Sequence, residues 1–109
     1  MTTILTDLEA PYYAGIFTAR LSDDTREYGD TVARMLELVH AMPGFLGVES
    51  INRDDAEIVV SYWRDEAAIR DWKAQLEHRD AQQRGRKQWY AGYAVRVARV
   101  ERSYTFEAP

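Results

Sequence analysis

Residues 61–90 read S-Y-W-R-D-E-A-A-I-R-D-W-K-A-Q-L-E-H-R-D-A-Q-Q-R-G-R-K-Q-W-Y and hold all three tryptophans, two of the seven tyrosines and one of the two histidines of the chain. Aromatic side chains form much of the wall of small-molecule pockets, and they also form much of a protein core. If the chain forms a binding cleft, we therefore expect that cleft to run through this segment.

Two elements are predicted around this segment. It overlaps the end of residues 57–63, whose run of Ile, Val and Val is the most strand-like in the chain. Asp65 can cap a following helix, whose apolar stripe continues past His78 to about Gln83. Gly85 is expected to stop that helix and to mark the turn back to the sheet.

The residues before this segment predict a strand and a helix. Residues 12–21 alternate between two faces, which is typical of a strand covered on one face and partly on the other. Asp24 followed by Glu27 resembles a capping box at the start of a helix. Apolar residues then recur at three- and four-residue steps, and the pair Pro43-Gly44 ends the helix.

A hairpin and a long final strand complete the predicted sheet. Residues 45–53 are predicted to form a strand, with Asp54 and Asp55 as the turn into the next strand. The side chains of residues 90–106 alternate between two faces, which predicts one long final strand. The order strand, helix, strand, strand, helix, strand predicts an α+β chain with the split β-α-β arrangement of ferredoxin-like folds.

This arrangement also predicts how the chain is organised beyond its elements. Residues 1–11 have no sustained period and end in a proline, so we expect an N-terminal arm followed by a single domain over residues 12–106. Two helices can cover only one face of a four-stranded sheet. The apolar residues on the other face are expected to pack against a second copy, which gives a homodimer with sheet against sheet.

Composition narrows the classes of partner. The chain has 109 residues, a net charge of -4 and no cysteine. The acidic balance gives no driving force for nonspecific binding to nucleic acid or to an anionic membrane. The absence of cysteine removes disulfides, thiolate metal sites and cysteine nucleophiles. With no apolar run long enough to span a bilayer, we expect a soluble, cytoplasmic protein.

Trp63, Trp72 and His78 are the first candidates for chemistry. If one continuous helix carries Trp72 and His78, their side chains point about 120° apart, because six residues do not complete whole turns. One interpretation makes both tryptophans core residues and His78 a helix residue bonded to a neighbour. The other makes them an aromatic pocket in which His78 acts as acid, base or ligand.

Two further groups of polar residues are candidates for a binding site. The acidic and imidazole groups of Glu77, His78 and Asp80 face different ways on a helix, so no metal site is expected. Arg96 interrupts an apolar strand, and its guanidinium is expected to pair with an acid such as Glu49 or with an anionic ligand. The sequence contains neither a Ser-His-Asp pattern nor a phosphate-binding glycine loop.

Three motifs on this element order resemble the antibiotic biosynthesis monooxygenase domain family. They are P-G-F-L-G at 43–47, S-Y-W-R-D-E-A-A-I at 61–69 and E-H-R-D-A-Q at 77–82. The resemblance covers about residues 12–106. It implies a ferredoxin-like subunit of a dimeric α+β barrel with a cleft between sheet and helices. Relatives in that family include oxygenases without a cofactor, haem-degrading enzymes and isomerases.

The resemblance carries over to individual residues only in part. In the cofactor-free oxygenases a tryptophan and an asparagine on the third strand hold the substrate, and a tyrosine on the next helix assists. Trp63 matches that tryptophan, whereas Val59 and Ile69 stand at the other two positions. In the haem-degrading relatives a helical tryptophan precedes the haem-binding histidine by ten residues. Trp72 matches this tryptophan, but Gln82 occupies the histidine position.

These observations together favour a small-molecule monooxygenase that needs no cofactor and acts on an aromatic or polycyclic substrate. His78 is the candidate catalytic base. The alternatives are a dimeric binding or assembly module without catalysis and, third, a haem-binding protein. The candidate substrate-binding residues are Tyr62, Trp63, Trp72, Trp89, Tyr93 and Arg96.

Overall fold

A computed structural model describes residues 4–109 of the chain. The predicted α+β class and the ferredoxin-like order are confirmed, with four antiparallel strands in one sheet and helices on one face. A break divides the second predicted helix in two. The elements are β1 (Tyr12–Leu21), α1 (Tyr28–His40), β2 (Phe45–Arg53), β3 (Ala56–Trp63), α2 (Glu66–Ala74), α3 (Leu76–Arg84), a π-helical turn (Gly85–Trp89) and β4 (Tyr90–Val100).

The sheet has the order β2-β3-β1-β4, so the first and third strands lie in its centre. Successive side chains of a strand point to opposite faces, and the pairing of β1 with β3 aligns those faces. We call the side that carries Phe17 and Trp63 the helix face. The opposite side, which carries Ile16 and Tyr62, is called the outer face.

The core lies between the helix face and the helices. The side chain of Trp63 is 1% exposed and packs with Val39 of α1 and Ala68 of α2. The ring of Phe45 meets the Trp63 ring edge to face, with centroids 5.2 Å apart. The predicted cap of α2 is present, since the carboxylate of Asp65 accepts the backbone N–H of Ala68 at 2.8 Å. These contacts fix the end of β3 against the start of α2.

The predicted capping box at α1 is wrong. The helix begins at Tyr28, after Glu27 adopts a left-handed φ of 66°, and no side chain caps it. The Asp24 carboxylate is engaged elsewhere, because the Nε and Nη2 groups of Arg26 both donate to it at 2.8 Å. A bidentate charged pair of this kind competes well with a single capping bond. The later start directs Tyr28 toward the sheet.

The last strand is shorter than predicted. It ends at Val100, not Phe106, because Val100 pairs with Tyr12, the first residue of β1, and no strand remains beside it beyond that point. The side chains of Tyr104 and Phe106 are 97% and 84% exposed. The predicted turn at Asp54-Asp55 is confirmed, with Asp54 at a left-handed φ of 55°.

Residues 4–9 of the predicted arm form neither helix nor strand, and residues 1–3 lie outside the described part of the chain. The backbone N–H of Leu5 donates to the carboxylate of Glu49 on β2 at 3.0 Å. The arm therefore contacts the outer face at one end of the sheet. Among the helices of residues 4–109, none combines the length and the apolar character needed to cross a bilayer.

Candidate functional site

A cleft of about 540 Å³ opens between the helix face of the sheet and the three helices. This volume lies in the range of small-molecule sites. Phe17, Ser61 and Trp63 line it from the sheet, and Trp72 and His78 line it from the helices. Along β4 the helix face is open to solvent, since Val95 is 57% exposed. The cleft is thus closed at its floor and open along one side.

The break between α2 and α3 creates the central contact of the cleft. Gln75 has an extended backbone with ψ of 131°, so the two helices do not continue as one. Its side-chain oxygen accepts the backbone N–H of His78 at 2.8 Å and caps α3. The rings of Trp72 and His78 therefore stack, with centroids 4.1 Å apart and planes 14° apart. The expected angle of about 120° between them is wrong because it assumed an unbroken helix.

The hydrogen bonds of His78 define its tautomer. Its Nδ1 lies 2.9 Å from the carbonyl oxygen of Trp72, which can only accept, so Nδ1 carries the proton and donates. The Nε2 atom of the neutral ring then holds a lone pair. Burial lowers the pKa of His78, and the bond to the Trp72 carbonyl opposes this shift. The neutral, proton-accepting form is therefore favoured at pH 7.

The other two tryptophans are more deeply buried than Trp72. The Nε1 group of Trp63 donates to Ser61 Oγ at 2.9 Å, so the indole is fixed as the cleft floor. Trp89 is 2% exposed and donates to the carbonyl of Arg26 at 2.9 Å. Its ring packs edge to face on Tyr28, with centroids 5.3 Å apart. Both residues line the cleft while also holding the fold together.

The cleft also contains a second polar group, which no local sequence pattern predicts. The phenol oxygen of Tyr28 lies 2.9 Å from both carboxylate oxygens of Glu57 and 2.9 Å from the phenol oxygen of Tyr90. All three side chains line the cleft. Burial is the largest cause that raises the pKa of both tyrosines, so both phenols keep their protons. We call this group the Tyr90-Tyr28-Glu57 chain.

α3 ends at Arg84, beside the predicted stop at Gly85, but this glycine does not adopt the left-handed conformation of a usual glycine cap. It has ordinary right-handed helical angles, and the chain continues through the π-helical turn. The ring of Tyr90 lies against its Cα, so that a Cβ at Gly85 would be 2.5 Å from Cε2 of that ring. The missing side chain therefore makes room for Tyr90.

We expect Gly85→Ala to lower the free energy of unfolding by about 1–3 kcal/mol, because the Tyr90 ring must move to admit the methyl group. Urea unfolding followed by tryptophan fluorescence measures this change. Gly29→Ala is the matched control, since an added Cβ on α1 meets nothing within 4 Å. That variant should be unchanged or more stable by up to about 1 kcal/mol. Equal stability of both variants would contradict the crowding at Gly85.

The sheet separates the remaining candidate residues. Tyr93 lies in the cleft, where its phenol oxygen accepts from Arg86 at 3.2 Å. Tyr62 lies on the outer face, and its hydroxyl donates to Glu49 at 2.6 Å. Arg96 is exposed on the same outer face, in register with Ile16 of β1. The assignment of Tyr62 and Arg96 to the cleft is therefore wrong, because the alternation of their strands turns them away from it.

The predicted pairing of Arg96 with Glu49 within one subunit is also wrong. One row of paired residues crosses the sheet: Glu49 pairs with Val60, Val60 with Ile16, and Ile16 with Arg96. The charges of Glu49 and Arg96 therefore lie at opposite edges of the sheet, at the two ends of this row. Three strand spacings of about 4.8 Å separate them. No ion pair of Arg96 occurs within residues 4–109.

The positions that depart from the family's catalytic residues are nevertheless at the cleft. Val59, Ile69 and Gln82 all line it. The first two are apolar and the third is an amide, so they offer no strong base at these positions. Within residues 4–109, no three His, Asp or Glu side chains come together in a way that could hold a metal ion. His78 and Glu57 are therefore the candidate proton acceptors of the cleft.

Similar proteins share this sequence pattern and this fold. Residues 17–84 match the family described as antibiotic biosynthesis monooxygenase. The uncharacterized protein YqjZ of Bacillus subtilis (strain 168) is 47% identical over 100 residues, which cover 91% of this chain and 88% of YqjZ.

Two solved structures show the same fold at low identity. SnoaB, a cofactor-independent oxygenase from Streptomyces nogalater, superposes with a TM-score of 0.69 at 16% identity and covers 91% of this chain and 100% of its own. Rv0793 from Mycobacterium tuberculosis gives a TM-score of 0.69 at 14% identity, with 90% and 99% covered. The extent of the family match and the identity to YqjZ lead to one conclusion: the chain belongs to the antibiotic biosynthesis monooxygenase family.

Proposed function

We propose that this protein is a monooxygenase that needs no cofactor and oxidises a small phenolic aromatic compound bound in the cleft. The observation that supports this most directly is the stack of Trp72 and His78, in which Nδ1 donates to a carbonyl and Nε2 retains a lone pair. A flat aromatic ligand finds an apolar floor at Trp63 and a proton acceptor at His78.

The proposed chemistry needs few protein groups. Nε2 of His78 removes the proton of a substrate hydroxyl, and the resulting phenolate donates an electron to molecular oxygen. The superoxide and the phenoxyl radical combine at a ring carbon that carries hydrogen, and the resulting peroxide takes the proton back from His78. The O–O bond then breaks, so that one oxygen stays on the carbon as a carbonyl and the other leaves as water with the hydrogen of that carbon. The apolar floor at Trp63, which is 1% exposed, favours this route because it keeps bulk water from one side of the reactive intermediates.

The similarity of this fold to that of SnoaB supports the proposal of an oxygenase, since SnoaB is a cofactor-independent oxygenase. A binding or assembly module without catalysis is the alternative. The open cleft, with polar acceptors among its aromatic walls, favours the enzyme over a module whose aromatics would pack solidly.

A panel of hydroxylated naphthalenes, anthrones and naphthacenes tests the proposed function. Each compound is added to the protein in air-saturated buffer, and oxygen uptake is followed with an electrode. We expect uptake above the rate without protein for at least one compound, with an oxidised product of matching yield. Thermal shift under nitrogen reports binding separately, because a ligand of the folded state raises its stability. Binding of aromatics without any oxygen uptake would favour the module, and a Soret band after addition of haemin would favour a haem protein.

We also propose that the outer face is the interface of a homodimer. Ile51 and Ile58, a cross-strand pair of β2 and β3, are 65% and 44% exposed on this face. A two-fold axis parallel to the strands would lay β4 of one subunit over β2 of the other. Arg96 would then face Glu49 of the partner subunit, so the two charges at opposite edges of the row complement each other.

Light scattering on the eluting protein tests this interface. We expect a dimer for the unchanged chain and a larger monomer fraction for Arg96→Glu, because like charges would then face each other across the interface. The combination of Arg96→Glu with Glu49→Arg should restore the dimer. A monomer for the unchanged chain would rule out the proposed interface.

A further inference from the structure

The hydrogen bonds of the Tyr90-Tyr28-Glu57 chain can run in one direction only. The hydroxyl of Tyr28 donates to the carboxylate of Glu57, and its single proton is shared between the two carboxylate oxygens. The oxygen of Tyr28 then has only lone pairs left for Tyr90. The 2.9 Å contact between the two phenols therefore requires Tyr90 to donate to Tyr28.

This direction defines what Tyr90 offers to a ligand. Its one proton is engaged with Tyr28, so its oxygen can only accept a further hydrogen bond. The ring is fixed by Gly85 beneath it and by the edge-to-face contacts with Phe17 and Tyr93, at centroid distances of 5.3 and 5.7 Å. Tyr90 is half-buried in the cleft wall, so these ring contacts fix the position of its oxygen, and turning the O–H toward a ligand would cost the bond to Tyr28.

His78 presents the same polarity from the helices. Its Nδ1 proton is engaged with the Trp72 carbonyl, which leaves Nε2 as an acceptor. Two polar groups of the cleft, one on the sheet side and one on the helix side, are thus both acceptors without a free proton. A ligand group that can only accept, such as an ether or ketone oxygen, would leave either of them unpaired.

We propose that the cleft selects aromatic compounds that carry at least two hydroxyl groups, one donating to the oxygen of Tyr90 and the other to Nε2 of His78. This inference rests on the proposed function for the part played by His78. Tyr90 is here a substrate-binding residue, and Tyr28 and Glu57 are positioning residues that fix the polarity of its hydroxyl. Sites that are built to pair with a hydroxyl reject analogues that lack the proton far more strongly than apolar pockets reject a change of size.

A naphthalenediol with its hydroxyls on opposite rings, together with its mono- and dimethyl ethers, tests this inference. Titration calorimetry under nitrogen measures binding without turnover. We expect the affinity to fall roughly tenfold or more for each hydroxyl that becomes a methoxy group, because each loss leaves an acceptor of the cleft unpaired. Equal affinities for the three compounds would overturn the inference and leave the proposed aromatic site in place. Failure of all three to bind would overturn both.

Variants of the chain separate hydrogen-bond polarity from size. Tyr28→Phe returns a free proton to Tyr90, so the preference for hydroxyl over methoxy should shrink by roughly tenfold. Tyr104→Phe removes a phenol outside the cleft, on a side chain that is 97% exposed, and it should leave that preference as it is. Tyr90→Phe is a second variant, which removes the accepting oxygen itself. In this variant, methylation of one of the two hydroxyls of the diol should no longer lower the affinity. An unchanged preference in both Tyr28→Phe and Tyr90→Phe would overturn the role of the chain.

Discussion

His78→Gln is expected to lower kcat for oxygen uptake with a phenolic substrate by roughly 10²- to 10⁴-fold, the usual contribution of a positioned general base. Glutamine can still donate to the Trp72 carbonyl through its amide, but it lacks a basic nitrogen. KM should rise by no more than roughly tenfold, the cost of one lost hydrogen bond, because the Trp63 floor and the Trp72 ring remain in place. Initial rates with an oxygen electrode give both constants.

The pH dependence of kcat/KM provides a second measurement of the same role. Burial lowers the pKa of His78 below the ordinary value of about 6.5. The base is therefore neutral and active above that value, and activity should fall only as the pH drops below it. This fall in activity at low pH, the acidic limb of the profile, should be absent from the activity that His78→Gln retains, since the titrating imidazole is gone.

His40→Gln is the matched control for this experiment. His40 is the other histidine of the chain, and its Nδ1 bonds the Leu36 carbonyl within α1 at 2.6 Å, outside the cleft. Its replacement should leave kcat and the acidic limb unchanged. If His78→Gln retained the full rate with every accepted phenol, Glu57 would become the candidate base in its place.

The order of elements was predictable because the signals for it are local. Alternation along β1 and β3 and the Pro43-Gly44 pair at the end of α1 each depend on a few neighbouring residues. The position of Trp63 at the end of β3 follows from the same pattern. The location of the cleft on the helix face could therefore be predicted from the sequence.

The chemistry of the cleft depends on contacts that local patterns do not report. Gln75 is neither glycine nor proline, so nothing in its type predicts the helix break that stacks His78 on Trp72. The Tyr90-Tyr28-Glu57 chain joins three elements that are far apart in sequence. One part of this chain was predictable from the sequence. Side chains two residues apart in a strand share a face, so Glu57 must face the helices together with Val59 and Trp63, as an isolated charge.

Trp63→Ala is expected to lower the free energy of unfolding by about 3–5 kcal/mol, the usual cost of removing a buried aromatic side chain. The side chain is 1% exposed and lies between β3, α1 and α2, so three elements lose their common contact. Small domains have about 5–15 kcal/mol of stability in total, and a loss of this size would leave a large unfolded fraction in mild denaturant. Urea unfolding followed by far-UV circular dichroism measures the change.

Trp72→Ala is the matched comparison, because Trp72 is the half-buried neighbour on the cleft side, with its ring 6.5 Å from that of Trp63. We expect it to lower stability by under about 2 kcal/mol, within the range of ordinary substitutions. Its larger effect should be on binding, because His78 loses the ring on which it stacks, and this should weaken a naphthalenediol by roughly tenfold. If the two variants lost the same stability and bound the ligand equally well, Trp72 would be a core residue like Trp63, and the aromatic wall proposed for the substrate would be absent.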